Sequence, residues 1–330
     1  MKIAYVEQED RVTVLRCYGT DPVAELPEQI GGKPVRELAD HIFAASWSTE
    51  YSPEKIRIFD DAFGEPPAAG ADGMPELVFP EEVILPDTIE SIGNYAFYGC
   101  RTLHRLTLPS RLARLGRGVF TACNHIEEIR FFETSPIPEN GIQTPQCMRN
   151  ILGELEYEFR ISLRIGEAVR WSLLFPGYYE ESIENTPARI IEIKYEGTGY
   201  KYRQCIRGGM LDLGQYDRLF YLARVQERAQ TSVQIALLRL AFPEGLGEDS
   251  KEAYLDFLKD EDAECAAFVL HSDDCLLWLE TLVRERYFSR ELLEKWMNRL
   301  GETGDARALS LLMDYRRREF PAMKKQYVLL

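Results

Sequence analysis

Residues 85–108 read LPDTIESIGNYAFYGCRTLHRLTL, and residues 108–131 read LPSRLARLGRGVFTACNHIEEIRF. The second stretch is the first moved on by 23 residues. Leu85, Pro86, Ile89, Ile92, Gly93, Phe97, Cys100, Leu103, Leu106 and Leu108 match Leu108, Pro109, Leu112, Leu115, Gly116, Phe120, Cys123, Ile126, Ile129 and Phe131. A fixed period of roughly 20–29 residues signals stacked coils, each too small to bury its own apolar face. Leu103, Leu106 and Leu108 fit a short inward-facing strand, and Pro109 should end it. Gly93 and Gly116 suit a tight bend. Phe97 and Phe120 should form a buried aromatic column.

The L-P-x-x-[IL]-x-x-[IL]-G-x-x-[AV]-F-x-x-C pattern resembles the BspA-like class of bacterial leucine-rich repeats. That resemblance implies a leucine-rich solenoid. It also implies binding through the strand face, here at Arg105, Thr107, Glu128 and Arg130.

Weaker copies flank the clear pair. Val35, Leu38 and Phe43 keep the spacing of Ile89, Ile92 and Phe97. Ile58 and Phe63 repeat the five-residue step, and Met74, Leu77, Phe79 and Pro80 match Leu103, Leu106, Leu108 and Pro109. GEPPAAGADG between them is a turn-rich insertion. Three to five coils follow from these matches. IAYV and VTVLRCY around EQED predict a hairpin covering the front of the stack.

After residue 132 the period is lost. The expected organisation is α+β and multi-domain. Residues 1–132 are a solenoid with a hairpin cap, 133–149 a linker, 150–208 a small antiparallel β unit and 209–330 a helical-repeat or bundle domain. Alternation from Leu155 to Ile165 predicts a strand with one wet face. AVRWSLLF, RIIEIKYEG and YKYRQCI read as further strands, with PGYYEES as a turn or loop. Helices are expected around Leu219, around Leu237, from a capping pair Asp249/Glu252, around Leu279, from Ser289, and after Gly301 and Gly304. The segment FSRELLEKWMNRLGETGDARALSLLMDYRRREF is similar to an ankyrin-type helix pair, without the T-P-L-H signature.

A formal charge of −15 disfavours nucleic acid and anionic membranes as partners. MKIAYVEQEDRV turns acidic too early for a signal-peptide core, and the expected location is cytoplasmic. Seven cysteines without a C-x-x-C argue against a disulfide framework or a zinc site. The four histidines form no metal motif, and neither a G-x-S-x-G elbow nor a phosphate loop is present. IGGKPV reads as a turn. No cofactor is expected, and the chain reads as a non-catalytic scaffold for another protein. The competing readings are a ligand-binding or enzymatic module in 150–330 carried on the solenoid, and an exported adhesin.

One charge feature is local. Ser91–Ile126 holds no Asp or Glu but carries Arg101, Arg105, Arg111, Arg114 and Arg117. Such an island could receive an acidic segment, because guanidinium forks match carboxylates. The alternative is a ladder within the protein, Arg105 to Glu128 and His104 to Glu127. Arg111, Arg114 and Arg117 align with Thr88, Ser91 and Asn94, which leaves them as the stronger candidates for an outside partner.

Overall fold

A computed structural model describes residues 1–44, 50–60, 79–134, 144–185, 190–207, 209–303 and 305–321. The chain divides into two compact units, Met1–Tyr216 and Asp217–Leu330. Sheets dominate the first and helices the second, an α+β layout.

Two main sheets build the first unit. One contains β1 (Lys2–Glu7), β2 (Val12–Tyr18), β4 (Gln29–Ile30), β5 (Lys33–Leu38), β6 (Ile56–Asp60), β8 (Ser91–Ile92) and β10 (Arg114–Leu115). Its order is β10-β8-β5-β2-β1-β6, with β4 beside β5. The other contains β3 (Val23–Glu25), β7 (Glu82–Ile84), β9 (Arg105–Pro109), β11 (Glu128–Glu133), β12 (Phe159–Ile165) and β13 (Ala168–Phe175), ordered β13-β12-β11-β9-β7-β3.

The 23-residue period is the register of both sheets. Leu106 lies beside Ile129, Leu108 beside Phe131, and Ser91 beside Arg114. Rings at equal positions stack: Phe43 on Phe97 at 5.2 Å, and Phe97 on Phe120 at 5.8 Å with planes 3° apart. Beneath them the Cys123 thiol donates to the Phe97 carbonyl at 2.8 Å and Cys100 to that of Phe43 at 3.4 Å. Each thiol thus satisfies a carbonyl one coil back.

The glycines act by closeness. A Cβ on Gly116 would lie 2.5 Å from the Gly93 carbonyl carbon, and one on Gly93 would lie 2.5 Å from the Asp40 nitrogen. Backbone meets backbone there, and neither residue has the positive φ of a bend. The IGGKPV reading holds: Gly31 and Gly32, both at positive φ, make the two-residue turn between β4 and β5.

The weak copy at the front is real, because Leu38 lies beside Ile92 and Phe43 joins the column. Two other matches are corrected. The strand in register with β9 is Glu82–Ile84, with Val83 beside Leu106, and Phe79 and Pro80 precede it. Val83 lies one 23-residue period before Leu106 and is buried, so it fills the slot assigned to Leu77. Ile58 sits on β6, antiparallel to β1 with Ala4 as its partner, and adds a third strand to the front hairpin. Phe63, Met74, Leu77 and the GEPPAAGADG insertion lie outside the described residues.

After β11 the stack is closed by different means. In earlier coils the Phe43 and Phe97 amides donate to the next coil, at Ala96 and Val119. The Phe120 amide donates instead to the Glu154 carboxylate at 3.0 Å, from helix α1 (Met148–Glu154). Strand β12, expected in a separate sheet, pairs in parallel with β11, with Ile129 beside Ile161 and Phe131 beside Leu163. The apolar row of the repeat continues into it, so the sheet extends rather than restarting. β13 then turns back antiparallel.

The first three residues of PGYYEES are loop, as expected, and Tyr179 opens a strand, β14 (Tyr179–Asn185), paired with β15 (Ile190–Glu196). YKYRQCI is not a strand in the main: it forms helix α2 (Gly199–Arg203) before the short hairpin β16 (Ile206–Arg207) and β17 (Met210–Leu211). Arg203 anchors this helix. Its buried guanidinium donates to the carbonyls of Leu155, Tyr157 and Gly199 at 2.8–3.0 Å and also reaches that of Pro176. Burial lowers its pKa to about 10, so it stays charged at neutral pH. Helix α3 (Leu213–Arg218) follows.

The second unit contains α4 (Phe220–Gln226), α5 (Ala229–Ala241), α6 (Glu248–Asp260), α7 (Asp262–His271), α8 (Cys275–Arg284), α9 (Arg290–Thr303) and α10 (Ala306–Glu319). Buried carboxylates tie it together. Asp217 takes a two-pronged contact from Arg239 at 2.6 and 3.0 Å and a hydrogen bond from Tyr254 at 2.8 Å. Asp262 accepts from Trp296 at 2.7 Å, Lys295 at 2.6 Å and Tyr287 at 3.2 Å. Ser289 caps α9 through the Leu292 amide. Asp249 is not a cap: α6 starts one residue before it, behind Gly247. Gly301 lies inside α9, and Asp305 caps α10 by accepting from the Arg307 and Ala308 amides.

Candidate interaction face

Alternation along each strand sends every second side chain to the open face of the six-stranded sheet. Register then sorts these side chains into rows. Glu82, Arg105, Glu128 and Arg160 lie side by side on β7, β9, β11 and β12. Ile84, Thr107, Arg130 and Ser162 form the next row, and Phe132 with Arg164 begins a third.

The first row alternates in sign, and its members bond. Arg105 meets Glu82 at 3.0 Å, and Arg160 meets Glu128 at 2.9 Å. Arg130 crosses between rows to Glu128 at 2.7 Å and Glu82 at 3.2 Å. Burial pushes the Glu128 carboxyl up, but Arg160 and Arg130 outweigh it and the pKa falls below the usual carboxylate range. The Glu82 hydrogen bond holds the Arg105 pKa up. Glu25 on β3 lies beside Ile84 and extends the second row, so these rows hold four arginines and three glutamates, with the arginines gathered toward β11 and β12. His104 pairs with Glu127 at 3.4 Å, as expected, whereas Arg105 turns to Glu82 on the preceding strand rather than to Glu128.

A groove of about 700 Å³ opens over the same face. Ile84, Thr107, Arg130 and Phe132 lie along it, Arg164 stands at one side and Glu25 and Glu28 at the other. The strand residues expected from the sequence, Arg105, Thr107, Glu128 and Arg130, are therefore together on one surface. Glu82, Arg160 and Arg164 are added to them. Glu82 was legible as the residue 23 positions before Arg105, and Arg160 and Arg164 as wet positions of the alternating stretch.

Arg111, Arg114 and Arg117 are elsewhere. Arg114 is on β10 in the other sheet and bonds Glu37 at 3.3 Å. The two flank Ser91 in register, and the small serine lets the long side chain cross to the acid two coils back. Arg111 pairs with Asp87 at 2.7 Å, one position off the aligned Thr88. Arg117 lies 5.9 Å from the Tyr95 ring centre. No acid stands at the aligned positions of Arg111 and Arg114, but both long side chains reach one beyond them, at Asp87 and Glu37. Both remain half exposed or more, at 50% and 68% of the side chain.

Among the described residues no cluster of three or more His, Cys, Asp or Glu side chains could hold a metal ion, and no helix is long and apolar enough to cross a membrane. All seven cysteines are buried thiols. Burial pushes Cys17 up to about 12, far from a reactive thiolate.

Residues 79–142 match the family described as BspA type leucine rich repeat region (6 copies). A leucine rich cell surface protein from Faecalibacterium prausnitzii A2-165 aligns at 19% identity over 49% of this chain and 41% of that one, with a TM-score of 0.28. The chain therefore spans about two fifths of that protein's solved length. A leucine rich repeat protein from T. pallidum aligns at 18% identity over 38% of this chain and 67% of its own, with a TM-score of 0.21. No curated protein matches the chain.

Proposed function

We propose, from the premise that this chain carries a BspA-type leucine-rich repeat region, that it is a non-catalytic scaffold binding another protein through the open face of its six-stranded sheet. The repeat coils form a short solenoid, and the occupant is an extended segment lying along the groove. The observation that carries this reading is the groove itself, with an apolar floor of Ile84 and Phe132 and a basic strip of Arg130 and Arg164 along one side, opposite Glu25 and Glu28. Such a strip favours a segment rich in Asp and Glu at its Arg130–Arg164 side, and electrostatic complementarity sets both specificity and association rate. Arg111, Arg114 and Arg117 form a second, outer contact for the same acidic partner, since exposed ion pairs are weak and exchange readily.

The helical unit adds a second repeat. Val233, Leu237 and Leu240 recur 42 positions later as Cys275, Leu279 and Leu282, and Tyr254 and Leu258 as Trp296 and Leu300, all buried. Both aromatic residues of the pair Tyr254/Trp296 donate to a buried aspartate. We read this unit as a helical repeat whose spacing falls within the roughly 40–47 residues of HEAT and armadillo units rather than the roughly 33 of ankyrin. Buried thiols suit a reducing compartment, and the cytoplasm is the location proposed.

Selection of displayed random peptides on the whole chain tests the reading. The expected winners carry runs of Asp and Glu beside an apolar anchor. They lose about tenfold or more in affinity to Arg130→Glu/Arg164→Glu, and less to Arg111→Glu/Arg114→Glu/Arg117→Glu. Winners indifferent to all five reversals would refute it.

A further inference from the structure

The hairpin of β14 and β15 is a two-stranded arm, paired from Tyr179–Glu196 to Asn185–Ile190. Its root is fixed. Tyr195 stacks on Tyr200 at 3.8 Å, Tyr178 meets both rings, and the Arg203 guanidinium lies 4.8 Å from the Tyr178 ring centre. Gly199 sits so close to Pro176 that a Cβ would come 2.1 Å from its carbonyl oxygen.

The described side chains next to that root are exposed. Tyr179 is 64% exposed, Ile193 49% and Tyr195 39%. Glu180, Glu181, Ser182, Lys194 and Glu196 are exposed as well. Among the described residues β15 has one ladder partner, β14, so its outer backbone edge is open. Isolated two-stranded ribbons are marginal in water, and an open edge is a template for another strand.

The sequence of β15 fits a copy of itself. It reads IIEIKYE, seven residues with Ile193 at the midpoint. An antiparallel pair of β15 strands about a twofold axis at Ile193 uses the whole strand. It sets residue 190 opposite 196, 191 opposite 195, 192 opposite 194, and Ile193 opposite Ile193. Glutamate therefore faces lysine twice, and isoleucine faces tyrosine twice around a central isoleucine pair. Such an interface is isologous, with one patch used by both partners. β14, by contrast, reads YEESIEN, and pairing it with itself would bring its glutamates together.

We infer that the arm is a self-association site: β15 edges of two chains join antiparallel about Ile193 into one four-stranded sheet. This does not depend on what the repeat face binds.

Sedimentation equilibrium of the whole chain tests it. The wild-type chain should be a concentration-dependent dimer. Lys194→Glu alone and Glu192→Lys alone each set like charges opposite one another twice, and each should weaken the dimer on the order of tenfold or more. Mixing the two single variants, or joining them as Glu192→Lys/Lys194→Glu in one chain, should restore it. Circular dichroism of each variant separates misfolding from lost pairing, and the mixed sample reports even where one variant is weakened. A monomeric wild type, a dimer indifferent to both single reversals, or a mixture that does not recover would overturn the proposal.

Discussion

The repeat coils and the helical unit hold together by opposite devices. In the coils, like meets like: Phe43, Phe97 and Phe120 stack, Cys123 bonds the coil below, and Gly116 touches Gly93. In the helical unit, unlike groups from distant places converge on single carboxylates, as Tyr287, Lys295 and Trp296 do on Asp262. The first device distributes stability over many equivalent contacts. The second concentrates it at a few points.

That contrast sets an order of sensitivity. Asp262→Ala should be the most damaging of these changes, costing roughly 2–4 kcal/mol, because it leaves the buried Trp296 indole N–H without its acceptor and removes the carboxylate that Lys295 and Tyr287 also reach. Burial, the Cys265 thiol and Asp262 hold the Tyr287 phenol far above its ordinary pKa, so it stays a donor. Denaturant unfolding followed by tryptophan fluorescence reads the loss, and a cost under about 1 kcal/mol would break the contrast. Within the coils, Glu128→Gln should cost roughly 1.5–3 kcal/mol at neutral pH. The sign follows from its lowered pKa. The carboxylate's contribution is present above the unfolded value and lost as pH falls through the folded one. Parent and variant should therefore converge in acid, and parallel stability curves down to low pH would contradict the assignment.

Gly116→Ala should cost about 1–3 kcal/mol by forcing two backbones apart, and the midpoint shift in urea measures it. An alanine accepted at no cost would mean the coils can respace. Arg114→Ala sits at the bottom, at no more than about 0.5 kcal/mol, since its pair with Glu37 is mostly exposed.

The same contrast explains what could be read in the sequence. A device that repeats at equal spacing leaves a period, so Phe97 over Phe120 and the place of Arg105 on the strand face are legible in the sequence. A device that joins residues 34 apart, as Asp262 and Trp296, leaves none, and α7, which opens at Asp262, passed unnoticed in DAECAAFVLH. The strand-face residues were legible for the first reason. The acids that Arg111 and Arg114 meet were not legible, because long side chains reach past the aligned position, to Asp87 and to Glu37. YKYRQCI was misread as a strand, and Arg203, which anchors the helix there, draws its carbonyl partners from Leu155, Tyr157 and Pro176, far upstream.

The glycine contacts carry a direction. Each would-be Cβ points back at the preceding coil: Gly116 at Gly93, and Gly93 at the Ala39–Asp40 peptide. Leu38 is paired with Ile92, so Ala39 occupies the glycine position of the first coil and carries the methyl group the others forbid. That methyl packs on the hairpin cluster of Ala4, Val6, Leu15 and Ile58. The pile thus has a ground floor recorded in a single side chain, where the glycine position meets a hairpin rather than another coil.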